Sequence, residues 1–203
     1  MNNPPPLDYG CCYHIYNRGI NGTSLFPLPQ LYTSFLKSYA YYTEPLFDTY
    51  AYCLLDNHFH LMVRIKELHE IDLIRWKQER GWKKISEPGR LLGHLFNSHA
   101  QIVNSLMGRT GSLFEKHVHR ERIDHDDYFT QLIFYIHSNP LKHGFTTSFQ
   151  TYPHSSYLAY LSDKPTLLKR QAVLDWFGGK QQFINFHEGM KNETFGDYFN
   201  DRS

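Results

Sequence analysis

Three kinds of feature that would assign this chain quickly are missing from it. Cysteine is scarce: Cys11 and Cys12 are adjacent and Cys53 is isolated. Neither a disulfide framework nor a four-ligand zinc site can be drawn from three such residues, and all three read as structural. No apolar run reaches the roughly 18 residues of a membrane helix. The N-terminus MNNPPPLDYG has neither the basic start nor the apolar stretch of a signal peptide. These absences point to a cytoplasmic protein with no membrane partner. Excess charge is also missing, since 21 Lys and Arg against 20 Asp and Glu leave a formal +1, which by itself announces no polyanionic partner. What the chain does hold is imidazole and phenol: 13 His, 15 Tyr and 15 Phe in 203 residues. With a mean hydropathy of −0.53, that aromatic content suits a folded domain, and neither a membrane protein nor a disordered one.

The length allows one domain with a modest appendage. Pro4, Pro5 and Pro6 make a locally stiff but frayed stretch, and residues 1–8 read as a flexible leader. CCYHIYN alternates as a strand ending at Arg18-Gly19, and the spacing of Leu31, Phe35, Leu36, Tyr39 and Tyr42 predicts a helix over Gln30 to Tyr42. Two β-rich runs, Thr49 to Leu55 and His58 to Ile65, are separated only by Asp56-Asn57, a hairpin signal. A short helix and an irregular connection are expected over Glu67 to Arg90, then a helix from Leu91 to Met107 and a β-like piece from Ser112 to His119. A helix over Asp126 to Ser138 is expected to stop before Pro140. Residues 9–150 read as the main domain and 151–203 as a helical extension packed on it, with a helix near Thr166 to Phe177, a Gly178-Gly179 stop and an acidic tail. Strands joined by a two-residue turn must be antiparallel, so the layout is α+β, helices packed over an antiparallel sheet.

The segment Asn57-His58-Phe59-His60-Leu61-Met62-Val63-Arg64-Ile65 is the informative one. Strand alternation puts Phe59, Leu61, Val63 and Ile65 on one apolar face and His58, His60, Met62 and Arg64 on the other. The two imidazoles then lie about 6.5–7 Å apart along the strand, close enough to lean onto one cation at about 2.1 Å each. In a chain with 13 histidines, an H-x-H pair also arises by chance, and the pair alone does not decide between a metal site and ordinary surface histidines. Downstream, Phe129, Leu132, Ile133 and Ile136 form the core stripe of the Asp126 to Ser138 helix. Tyr135 and Asn139 lie off that stripe, four apart on one flank. Asn139 has an amide oxygen to offer a metal and Tyr135 a phenol, though a packing tyrosine and an Asn stopping a helix before Pro are equally ordinary roles.

Taken together, four stretches resemble the single-tyrosine HUH transposases, most closely the REP-associated tyrosine transposase branch. They are Tyr13-His14-Ile15 with Arg18-Gly19, Cys53-Leu54-Leu55-Asp56-Asn57-His58-Phe59-His60-Leu61-Met62-Val63, Gly111-Ser112-Leu113-Phe114, and Tyr135-Ile136-His137-Ser138-Asn139-Pro140. The resemblance runs from about residue 9 to residue 145 and implies a ferredoxin-like fold of the HUH endonuclease type. It implies that His58 and His60 bind a divalent metal, Mg²⁺ or Mn²⁺, that Asn139 is the third ligand, and that Tyr135 is the nucleophile. Asp56 departs from the pattern, because many relatives carry Pro before Asn-His; it brings a carboxylate close to the metal ligands.

The implied chemistry is transesterification on hairpin-bearing single-stranded DNA, through a 5′-phosphotyrosine that stores the bond energy for rejoining. Two imidazoles and an amide form a neutral ligand set, which leaves the metal's charge undiminished for polarising the phosphate. The resemblance leaves open whether Tyr135 acts in its own chain or across a homodimer. A DNA-binding module that no longer cuts, and a phosphoesterase using water, are the rival readings. Charge is segregated along the chain: residues 64–92 hold eight Lys and Arg against five acids, and 164–180 hold four against one. Within Lys116-His117-Val118-His119-Arg120-Glu121-Arg122, alternation would put Lys116, Arg120 and Arg122 on one face along a DNA backbone, or on a solvated strand edge. Arg18 and Lys142 are further candidate DNA contacts, whereas the Leu167 to Phe177 helix reads as packing with a basic outer face.

Overall fold

A computed structural model describes residues 6–81, 86–125 and 127–190. Strand β1 (Cys12–Arg18) leads through a loop to α1 (Pro29–Thr43). Pro29 suits the first turn of α1, where its missing N–H would have had no partner, and Leu31, Phe35, Tyr39 and Thr43 recur at four-residue spacing on its buried side. The expected hairpin follows as β2 (Phe47–Leu54) and β3 (His58–Ile65). Next come α2 (Leu73–Arg80), capped by the Asp72 carboxylate on Arg75 N–H, and α3 (Pro88–Met107). Strand β4 (His119–Ile123), α4 (Asp127–Lys142), α5 (Tyr157–Leu161), α6 (Arg170–Trp176) and α7 (Lys180–Gly189) complete the order.

The sheet runs β2-β3-β1-β4, and each neighbouring pair is antiparallel. Because α1 links β1 to β2 while β3 lies between them, the first half is a split βαβ unit, and α3 returns the chain to β4 beside β1. This is the ferredoxin-like arrangement. Both faces of the sheet are covered. On one, Phe59, Leu61, Val63 and Ile65 pack with Tyr13 and Ile15 against Phe35 of α1 and Leu92, Leu95 and Val103 of α3. On the other, Met62, Ala51 and Cys53 meet Leu132, Ile133 and Ile136 of α4 together with Phe149, Tyr157, Tyr160, Val173 and Phe183. A fully buried Phe or Leu contributes about 1.5–3 kcal/mol, so the residues beyond 150 supply a large share of the second core.

Several boundaries differ from expectation for identifiable reasons. Of the leader, residues 1–5 lie outside the described residues, but Leu7 is buried in the first core and Asp8 N–H donates to Tyr13 Oη at 2.9 Å. Pro140 does not stop its helix: α4 continues to Lys142. Pro140 is buried, and beyond it the turn is closed by His143 N–H to Asn139 C=O at 3.0 Å and Phe145 N–H to Pro140 C=O at 2.8 Å. The Ser112 to His119 piece is not a strand but holds a single bridge, Gly19 to Phe114, with β4 beginning only at His119. Helix α6 starts at Arg170 because the preceding residues lie along the edge of β2, where Leu168 bridges Thr49 and Lys169 N–H donates to Thr49 C=O at 2.9 Å. After Gly178 and Gly179, whose φ values of 80° and 112° suit glycine, the chain forms α7 before the acidic tail, which lies outside the described residues. The α6 helix packs as expected, with Trp176 against Tyr50 and Phe129 at ring distances of 4.7 and 5.1 Å.

Candidate active site

Register puts the polar face of the sheet together. His60 lies opposite Tyr16 of β1, His58 opposite Arg18, and Met62 opposite His14. Directly opposed residues share a face, so His14, Tyr16, Arg18, His58 and His60 all project on the α4 side. The His58 and His60 rings are 5.3 Å apart and nearly perpendicular. Each has one ring nitrogen engaged. His58 Nδ1–H donates to Asn57 Oδ1 at 2.7 Å, and His60 Nδ1 meets His14 Nε2 at 3.0 Å. These bonds fix ring orientation, and with His60 Nδ1–H as donor both rings present an Nε2 lone pair, the tautomer that metal-ligating histidines adopt.

Helix α4 delivers the other partners. The Tyr135 ring stands edge-on to His60 at 5.6 Å and to His14 at 5.9 Å, within one chain. Asn139 is fully buried; its Nδ2 donates to Tyr135 C=O at 2.9 Å, and its Oδ1 has no hydrogen-bond partner among the described residues. An acceptor oxygen buried in this way is costly unless something is bound to it. Among the described residues, no group of three or more His, Cys, Asp and Glu is arranged to hold a metal. The three residues that the resemblance implies as ligands, His58, His60 and Asn139, are all buried, the two histidines on β3 and the asparagine on α4. Lys142, two turns beyond Tyr135, places its ammonium 5.2 Å from the centre of the phenol ring. The Asp56 carboxylate accepts Ser24 Oγ–H at 2.6 Å.

The remaining cations do not converge here. Arg18 stands at the end of β1 in an ion pair with Glu115 at 3.5 Å. Lys116 precedes β4 and is exposed. Arg120 and Arg122 lie opposite Ile15 and Tyr13, which puts them on the sheet face away from Tyr135. Arg120 is packed beside Gly89, and Arg122 pairs with Asp124 at 2.7 Å and Asp8 at 3.5 Å. The expected strand row is corrected in extent: Arg120 and Arg122 alternate on one face of β4, and Lys116 lies three residues before the strand begins.

No protein-family model and no curated protein matches the sequence. Among solved structures, a REP-associated tyrosine transposase bound to a REP hairpin aligns with this chain at a TM-score of 0.55 and 16% identity, over 81% of this chain and 88% of its own. The chain shares the fold of that structure.

Within that fold, sequence reasoning missed four residues of the site: His14, Tyr16, Asn57 and His143, whose ring lies 4.7 Å from His58. Tyr16 stacks on His119 at 4.8 Å and donates to Glu121 Oε1 at 2.9 Å, joining β4 to the polar face. A signal existed for His14 and Tyr16, because alternation in β1 sets them on one side. Their proximity to His60 depends on a strand pairing 46 residues apart in sequence.

On its far flank α4 makes a second buried polar chain. His187 Nδ1–H donates to Phe183 C=O at 2.8 Å, so its Nε2 accepts His137 Nδ1–H at 2.9 Å; His137 Nε2 then accepts Ser156 Oγ–H at 2.7 Å, and Ser156 Oγ accepts Tyr52 N–H at 2.9 Å. Every member is satisfied with both imidazoles neutral. Burial holds His137 well below the usual histidine range and His187 down at about 4. The chain ties α7, α4 and β2 together directly behind Tyr135.

Proposed function

We propose that the protein is a DNA transposase or endonuclease that cleaves and rejoins hairpin-bearing single-stranded DNA through Tyr135. The observation that carries this reading is the meeting of Tyr135 on α4 with His60 on β3, whose ring lies 5.3 Å from that of His58, in a fold shared with a tyrosine transposase. The neighbouring structure is bound to a REP hairpin, which supports a DNA hairpin as the class of ligand.

In this reading Tyr135 Oη attacks a backbone phosphorus. The new O–P bond forms as the bond to the 3′ oxygen breaks, the phenol gives up its proton, and the 3′ oxygen leaves as a hydroxyl after taking one up. The 5′-phosphotyrosine conserves the bond energy, so no nucleotide cofactor is needed, and a 3′-hydroxyl reverses the step. His58, His60 and Asn139 would hold a divalent Mg²⁺ or Mn²⁺, which when bound would supply positive charge against the scissile phosphate. Asn57 and His14 orient the two imidazoles. Lys142 sets a second positive charge against the phenol face, where it favours a developing phenolate.

The test is covalent. Protein mixed with hairpin-bearing single-stranded DNA and Mn²⁺, then denatured, forms a protein–DNA adduct that Tyr135→Phe abolishes without loss of fold. Tyr135 is only 2% exposed, and this burial favours one alternative, a module that binds DNA without cutting it. That alternative is the conclusion if DNA is bound and no adduct forms. Hydrolysis without an adduct would instead indicate a phosphoesterase using water.

A further inference from the structure

A groove with a volume of about 810 Å³ lies on the sheet face away from Tyr135, between α3 and the segment 111–118. That is within the range of ligand clefts, roughly 300–1,000 Å³. Its floor is apolar, formed by Leu92, Phe96, Phe114 and Val118, with the Phe96 and Phe114 rings 4.9 Å apart. Its rim is cationic. Arg90 and Lys116 line it, and the Arg120 guanidinium lies beside Gly89 at one end. The acid in the lining, Glu115, is held by Arg18, so the rim keeps a positive excess. Arg18 also stands opposite His58 in the β1–β3 register. Its ion pair with Glu115 therefore joins the end of the catalytic face to the mouth of the groove.

We propose that this groove binds single-stranded DNA, the segment flanking the reacting phosphate, with phosphates along Arg90 and Lys116 and a base on the apolar floor. The proposal rests on the DNA-processing reading above. Cations interleaved with apolar and aromatic surface are what unpaired nucleotides need, because a stacked duplex exposes no base face to the floor. One wall is left open by Gly93, an exposed residue inside α3 whose added Cβ would meet nothing within 4 Å. Glycine is unfavourable in a helix interior, so a longer side chain there strengthens α3 while projecting into the groove.

The probe is a fluorescein-labelled oligothymidylate of about 16 nucleotides, titrated by anisotropy at about 50 and 200 mM salt, beside a blunt duplex of equal length. Arg90→Glu combined with Lys116→Glu is expected to weaken single-strand binding at least about tenfold and to flatten its salt dependence by about one to two phosphate contacts. Gly93→Gln, which keeps all charges and favours the helix, is expected to weaken it several-fold with the salt dependence unchanged. Unchanged binding in Gly93→Gln and in the charge variant overturns the proposal, and so does equal weakening on the duplex. The two readings fail separately. A wild-type protein that binds oligothymidylate through the groove but forms no adduct refutes only the catalytic reading; groove variants that bind normally while the adduct still forms refute only the groove.

Discussion

A histidine on a strand can point to either face, but it becomes a useful ligand only when its ring is held. For His60 the holding group is His14, whose Nε2 lies 3.0 Å from His60 Nδ1, with Tyr16 stacked on the ring at 5.6 Å and Tyr135 at its edge. Second partners of this kind typically govern metal affinity by 10–100-fold. His14→Ala is therefore expected to weaken Mn²⁺ binding by about 10–100-fold while His58 and Asn139 remain in place. Calorimetric titration checks this, and an unchanged affinity would remove His14 from the site. The placement of His58 and His60 on one strand face, and of Tyr135 and Asn139 on one helix, was readable because it rests on local geometry, alternation in one strand and four-residue spacing in one helix. That of His14 and His143 was not, since both depend on contacts between distant parts of the chain.

Among the elements, charge that looked like a binding surface is partly internal. Asp48 of β2 is 3% exposed, accepts a hydrogen bond from Arg64 at 2.7 Å and forms ion pairs with Lys169 at 2.9 Å and Lys66 at 3.9 Å. Arg75 and Arg80 reach Glu44 at 4.0 and 3.4 Å. The basic stretches 64–92 and 164–180 thus contribute cations that fasten β2, α2 and the segment before α6, and segregation along the sequence overstated the free positive surface. Replacing Asp48 with Ala would leave the partly buried Lys66 without its carboxylate and Arg64 with Glu70 alone, at 2.7 Å. An expected loss of about 1–3 kcal/mol in urea unfolding follows, and a change within experimental error would mean that water replaces the carboxylate at no cost. The same scale explains α4. A proline disfavours helix at the preceding residue, yet buried Leu132, Ile133, Ile136 and Pro140 hold the helix together through it, and local preference yields to packing.

For the whole molecule, the second core makes stability depend on pH through the helix that carries Tyr135. His187 has a folded value of about 4 against an ordinary 6.5, because burial disfavours its charged form, and His137 is lowered in the same direction. A group lowered in this way binds its proton more readily unfolded than folded. Its contribution is complete above about pH 6.5 and is lost as the pH falls toward 4, by roughly 3 kcal/mol for His187 alone. Melting temperature is expected to drop over that interval, and His187→Phe should flatten the drop although it costs stability at neutral pH by stranding His137 Nδ1–H. A profile equally steep in the variant would place the acid sensitivity elsewhere.

The sequence by itself determined what period and spacing can encode: a two-faced strand bearing His58 and His60, a hairpin turn at Asp56-Asn57, and a helix showing Tyr135 and Asn139 on one flank. These follow from the chain's own stereochemistry, with repeats of 2 and 3.6 residues, and need no partner. Only the tertiary structure decided which face each of these sees. The β1–β3 register brought His14 to His60, the β1–β4 register turned Arg120 and Arg122 away from Tyr135, and burial of apolar area carried α4 past Pro140 and drew α7 onto it. Those outcomes depend on contacts between residues tens of positions apart, whose energies no local pattern contains.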